Sequence, residues 1–107
     1  MSFKCSDHLH FKLLHLTGEV DLSNSAEVRK CLFDILVEDQ PIIVDFSGLD
    51  YIDSSGIATL VEALNIAKVK ALAFYICGAI GAPKQVLELT RLDQVFTLVD
   101  NLSDIKE

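Results

Sequence analysis

Asp53-Ser54-Ser55-Gly56 is the stretch of this chain whose residue types are best suited to chemistry. It stands between an apolar run, Ile42-Ile43-Val44-Asp45-Phe46, and the start of an amphipathic helical pattern. Two hydroxyls and an acid are thus expected where a buried strand feeds a helix N-terminus. That end of a helix carries unpaired N–H groups and a partial positive charge. A hydroxyl there can cap the helix, hold an anion or be phosphorylated. Asp53 or Ser54 is the expected N-cap.

Catalysis at these serines is not expected. A nucleophilic serine needs a positioned base and an acid that orients it. The three histidines, His8, His10 and His15, all lie near the N-terminus, and Gly-x-Ser-x-Gly is absent. Neither glycine-rich phosphate-binding pattern is present, and Gly78-Ala79-Ile80-Gly81 reads as a flexible turn. His8 and His10 on one strand face would be the minimum metal pair. No cluster of cysteines or carboxylates accompanies them, so no metal or other cofactor is expected. Cys5, Cys31 and Cys77 show no C-x-x-C spacing and are expected as reduced, mostly buried thiols.

The whole composition narrows the function classes. A length of 107 residues suits one domain, residues 1–107, and half of them are apolar. A formal net charge of −7 opposes nucleic-acid binding and docking on anionic lipid, and fits a partner with a basic surface. No apolar run approaches the ~20 residues that span a bilayer. The N-terminus lacks a signal-peptide pattern, so the expected compartment is the cytoplasm.

Elements that position the motif follow from periodicity. A short strand around Phe3–Ser6 and a second over Leu9–Thr17 precede a bend at Gly18-Glu19. Asn24 followed by Glu27 resembles a capping box, and Val28, Cys31, Leu32, Ile35 and Leu36 fall on one helical face. Ile42–Phe46 reads as a strand covered on both faces, with Ser47–Ile52 connecting it to the motif. Ile57, Leu60, Val61, Leu64 and Ala67 then form a buried helical stripe. Ser55, Thr59, Glu62 and Asn65 are expected on the exposed side. Leu72–Cys77 is a further strand. Pro83 falls near the first turn of a helix that continues through Val86, Leu87, Thr90 and Arg91. Phe96–Val99 is an edge strand, and Ser103–Glu107 starts a last helix or frays.

The alternation implies an α/β fold, a mixed sheet of four to five strands with helices packed mainly on one face. Loops Asp21–Ser25 and Asp53–Gly56 are then expected to be neighbours.

Leu16-Thr17-Gly18-Glu19-Val20-Asp21, followed by Ile52-Asp53-Ser54-Ser55-Gly56-Ile57, resembles the STAS domain of anti-sigma factor antagonists. Pro83–Leu89 and Leu92–Phe96 resemble that family's third helix and the segment after it. The chain departs in one place: Ala67-Lys68-Val69-Lys70-Ala71 lacks the glycine that usually follows the second helix.

The resemblance implies a binding protein, not an enzyme. Its partner would be an anti-sigma serine kinase of the histidine-kinase-like ATPase type, bound when the domain is unphosphorylated. Phosphorylation would fall on Ser55, and a serine phosphatase would reset the switch. Asp53 would be the motif acid and Asp21 the acid of the first loop, near Ser55. Ser23, Asn24, Ser54, Gly56, Thr59 and Glu62 complete the expected partner surface. A second role known for this fold is an unphosphorylated accessory subunit of an ABC-type lipid transporter; the intact Ser55 favours the first.

Overall fold

The computed structural model describes residues 2–106. Among these residues are five strands and three α-helices: β1 (Ser2–His8), β2 (Phe11–Val20), α1 (Ser25–Val37), β3 (Ile42–Ile52), α2 (Ser54–Val69), β4 (Phe74–Cys77), α3 (Gly81–Leu89) and β5 (Thr97–Val99). The strands lie in chain order across one mixed sheet. β1 is antiparallel to β2, and every later pair is parallel. With the strands advancing in one direction, right-handed crossovers place all three helices on the same face. Residues from each helix meet Leu14, Leu16, Val44, Phe46 and Ile76 in the main core.

The opposite face carries no helix among the described residues. Phe11, Leu13, Ile43 and Cys77 form a smaller cluster there, closed by Ile105 from the chain's last segment. That segment makes a short 3-10 helix at Leu102–Asp104 and no α-helix among the described residues; Glu107 lies outside them.

Several boundaries differ from expectation. The hairpin turns at Leu9-His10, with Leu9 at φ 55°, so β2 begins at Phe11. His8 therefore ends one strand while His10 sits in the turn, its ring 4.4 Å from that of Phe11, and the two do not share a strand face. Gly18 does not end β2; the strand runs on to Val20 with a shifted register beside it. Ser47–Ile52 is not a connection but the second half of β3, paired with Thr17–Val20. The Asn24–Glu27 capping box does not form. Asn24 Oδ1 instead accepts from the Asp21 N–H at 2.9 Å, and its amide donates to the Glu19 carbonyl. The cysteines are not mostly buried either: Cys5 is exposed, Cys31 partly so, and Cys77 alone is buried.

The missing glycine after α2 has a definite structural consequence. Leu72 N–H bonds the Ala67 carbonyl at 2.8 Å and Ala71 N–H that of Lys68 at 3.1 Å, a Schellman C-cap. Its left-handed position is taken by Ala71, at φ 58°. A side chain there costs roughly 1 kcal/mol relative to glycine. Ala71 is exposed, so nothing is lost by trimming its methyl. Ala71→Gly is expected to stabilise the domain by about 0.5–1 kcal/mol in urea denaturation, the relief of left-handed strain exceeding the added chain entropy.

Candidate functional site

Strands β2 and β3 end together, and the loops that leave them form the site. Val20 and Ile52 are register partners at the ends of β2 and β3. The Asp53 N–H bonds the Val20 carbonyl at 3.0 Å. One residue beyond each strand end, Asp21 opens the first loop and Asp53 the second, so the two expected loops are neighbours.

Asp53 is the N-cap of α2, in an extended conformation. Its Oδ1 accepts from the Ser55 N–H at 2.9 Å, the Gly56 N–H at 3.1 Å and the Ser55 hydroxyl at 2.6 Å. Its Oδ2 accepts from the Leu22 N–H at 3.2 Å, across the gap between the loops. The Ser55 hydroxyl foremost, with the Gly56, Ser55 and Leu22 amides, holds the carboxyl below its ordinary range. One carboxylate therefore starts the helix, orients the Ser55 hydroxyl and ties the Asp21 loop to it.

Gly56 has a packing role. A Cβ there would lie 2.6 Å from Ile52 Cγ1 and 2.8 Å from Val20 Cγ1. The first turn of α2 can rest on the ends of β2 and β3 only because this position has no side chain. The glycine thus sets how closely Ser55 approaches the sheet edge.

The remaining expected site residues are placed as follows. Asp21 Oδ1 accepts from the Ser23 N–H and hydroxyl and closes its own loop. Among the described residues no hydrogen bond joins it to Ser55; the loop reaches the cap through Leu22. Ser54 is exposed and Ser55 partly buried. Glu62 is exposed and pairs with Arg29 of α1 at 2.8 Å, while the Arg29 guanidinium lies 4.2 Å from the centre of the Phe33 ring. Thr59 departs from expectation, at 6% exposure. α2 packs against both the sheet and α1, so the flank carrying Thr59 and Ala63 is covered as well as the stripe through Ile57 and Leu60. Sequence periodicity missed Leu22, which is 81% exposed, and Tyr51, at 44%. An apolar residue isolated in the polar loop Asp21–Ser25 was the available signal.

A second hydrogen-bonded chain lies on the face without helices. Ser6 Oγ is 3.2 Å from His15 Nε2, and His15 Nδ1 is 2.8 Å from Asp45 Oδ2. Burial alone would raise the Asp45 carboxyl, but bonds from Ser47 and His15 outweigh it and the group is lowered. His15 is thus engaged by Ser6 and Asp45, while the Ser55 hydroxyl donates to the Asp53 carboxylate.

The model of the STAS domain family matches residues 3–105. This chain belongs to the STAS domain family. Solved structures similar to this STAS domain include a Thermotoga maritima protein at 22% identity, covering 95% of this chain and 89% of that one, with a TM-score of 0.87. An anti-sigma factor antagonist from Mycobacterium paratuberculosis is similar at 20% identity, over 96% and 88% of the two chains, with a TM-score of 0.83. The Bacillus cell fate determinant SpoIIAA in its phosphorylated form is similar at 16% identity, over 96% of each chain, with a TM-score of 0.77.

Among the described residues no helix is long and apolar enough to cross a membrane. No group of three or more histidine, cysteine, aspartate or glutamate residues is placed to hold a metal there.

Two outcomes test the site's construction. Asp53→Ala removes the acceptor for four donors; the thermal midpoint falls by a few degrees and amide exchange quickens at Leu22, Ser55 and Gly56 together. Because the folded carboxyl lies below the ordinary value of 3.8, its contribution is complete above that pH and fades as pH falls through the folded value. The gap between wild type and Asp53→Ala therefore narrows in acid. Gly56→Ala forces the first turn off Val20 and Ile52, and should cost about 1–3 kcal/mol in chemical denaturation.

Proposed function

We propose that this STAS domain is an anti-sigma factor antagonist in a partner-switching pathway. Unphosphorylated, it binds an anti-sigma factor that is also a serine kinase of the histidine-kinase-like ATPase type, and phosphorylation of Ser55 ends that binding. A serine phosphatase restores the free hydroxyl. The domain acts as a binding protein, and its working compartment is the cytoplasm.

The observation that carries this reading is the Ser55 hydroxyl held 2.6 Å from Asp53 Oδ1 at the sheet edge where the loops meet. A modifiable group sits on a pre-formed surface with the exposed Leu22 and Ser54 beside it. The similarity to a phosphorylated SpoIIAA structure supports the same reading. The accessory role in a lipid transporter assigns no use to the oriented hydroxyl.

Local electrostatics explain why such a switch needs no refolding. The Ser55 and Gly56 amides are already satisfied by Asp53, so a phosphate on Ser55 does not capture them. Phosphorylation replaces the hydroxyl donor with a group of about −1.5 to −2 charges next to an acid. The phosphate turns outward, away from Asp53, and the backbone caps remain. Across an interface that dianion must be desolvated. The partner surface in this reading comprises Leu22, Ser23, Asn24, Ser54, Ser55 and Glu62, framed by Asp21, Asp53 and Gly56. Thr59 supports it from below.

Incubation with ATP and the serine kinase of this class encoded nearest to it, followed by mass spectrometry, tests the assignment. Phosphate is expected on wild type and Ser54→Ala and not on Ser55→Ala; the reverse pattern would overturn it. Phosphorylated protein should bind the kinase at least tenfold more weakly, about 1.4 kcal/mol. Its amide spectrum should change only near residues 21–25 and 53–59; shifts across the far ends of the helices would exclude a local charge switch.

A further inference from the structure

A groove of about 730 Å³ runs between β1 and α1, away from the Ser55 edge. Phe3, Cys5, Cys31 and Ile35 line it, with Lys12 and Lys30 among its polar residues. The strand register explains why two thiols meet there. Cys5 pairs with Leu14, a residue of the helix-side core, and so points to the face that α1 covers. Cys31 packs against that same core from α1. Both side chains therefore face the same groove.

We propose that Cys5 and Cys31 form a reversible intramolecular disulfide when the protein meets a hydroperoxide, closing the groove and fastening the edge strand to α1.

The two thiols are unequally placed, and that sets their order of reaction. Cys5 is exposed on the edge strand. Burial foremost, then Cys5 itself, pushes the Cys31 thiol up to about 11, with Asp34 adding to the rise and Lys30 opposing it. At neutral pH Cys31 is therefore held as a thiol, and the thiolate is the form that attacks peroxide. Cys5, the more exposed thiol, reacts first: its sulfur attacks the hydroperoxide, the O–O bond breaks, its proton goes to the leaving alkoxide, and a sulfenic acid and an alcohol (water, for hydrogen peroxide) result. Cys31 sulfur then attacks the Cys5 sulfenic sulfur. The S–O bond breaks, and the departing hydroxide takes the Cys31 proton as water. Two thiols and one hydroperoxide thus give one disulfide, one alcohol and one water; the thiols are oxidised and the peroxide is reduced. Cys77 takes no part, being buried on the opposite side of the sheet.

The test uses the reduced protein alone, without kinase, so its outcome is independent of Ser55. Hydrogen peroxide is titrated in, free thiols are alkylated, and intact mass and peptide maps are read. Wild type and Cys77→Ser are expected to lose two hydrogen masses, to yield a Cys5–Cys31 linked peptide and to regain both thiols in dithiothreitol. Cys31→Ser should accumulate a dimedone-reactive sulfenic acid on Cys5 that wild type does not. Retention of both alkylatable thiols in wild type would overturn the proposal. So would a disulfide that joins two chains or involves Cys77, or direct over-oxidation of Cys5.

Discussion

The Asp53 carboxylate is the constraint on which the functional edge of this domain depends. Without it, the first turn of α2, the Ser55 hydroxyl and the Asp21 loop would be three separate features. Its two oxygens gather donors from both loops, so the geometry around Ser55 is over-determined. An acid serves better than a neutral cap here, because bonds to a charged acceptor are shorter and stronger than neutral ones. It also places a negative charge beside the hydroxyl that becomes charged in the proposed switch. Stability of the free form and discomfort of the modified form thus come from one group.

Packing beneath that carboxylate decides where it points. Gly56 lets α2 touch down on Val20 and Ile52, while α1 flanks it and buries Thr59 and Ser25. On the outer surface, Arg29 links the two helices through Glu62. At the far end Lys70 donates to the Leu36 carbonyl at 2.7 Å and pairs with Asp39, joining the C-termini of α1 and α2. The helix pair is therefore tied partway along by Arg29–Glu62 and at its C-terminal ends by Lys70.

Much of this was legible in the sequence. The apolar runs marked the central strands, and a 3.6-residue period marked the main stripes of α1 and α2. The one-sided helical layer followed from crossover handedness, given strands that advance in one direction. Misreadings came where a second neighbour intervened. Ser47, Gly48 and Asp50 interrupt the apolar pattern of β3, yet the strand continues, because beyond Asp45 it pairs with β2 alone and its free side tolerates polar residues. Thr59 looked exposed because a helical wheel assumes one buried side, whereas α2 has two. Asn24 looked like a forward cap, but its amide turned back to Asp21 and Glu19 and shaped the loop instead. The cross-loop bond from Leu22 had no sequence signature at all, since a backbone amide is the donor.

The strand order has a consequence for how the domain is made. Each strand after the first pairs with the one immediately before it, so a chain leaving the ribosome finds its template already extruded. The helical layer can be laid down step by step in the same direction. The other face cannot: Phe11, Leu13 and Ile43 emerge well before Ile105, which closes their cluster. Nascent chains therefore carry an apolar patch until Ile105 has emerged, the span in which a chaperone would have something to hold.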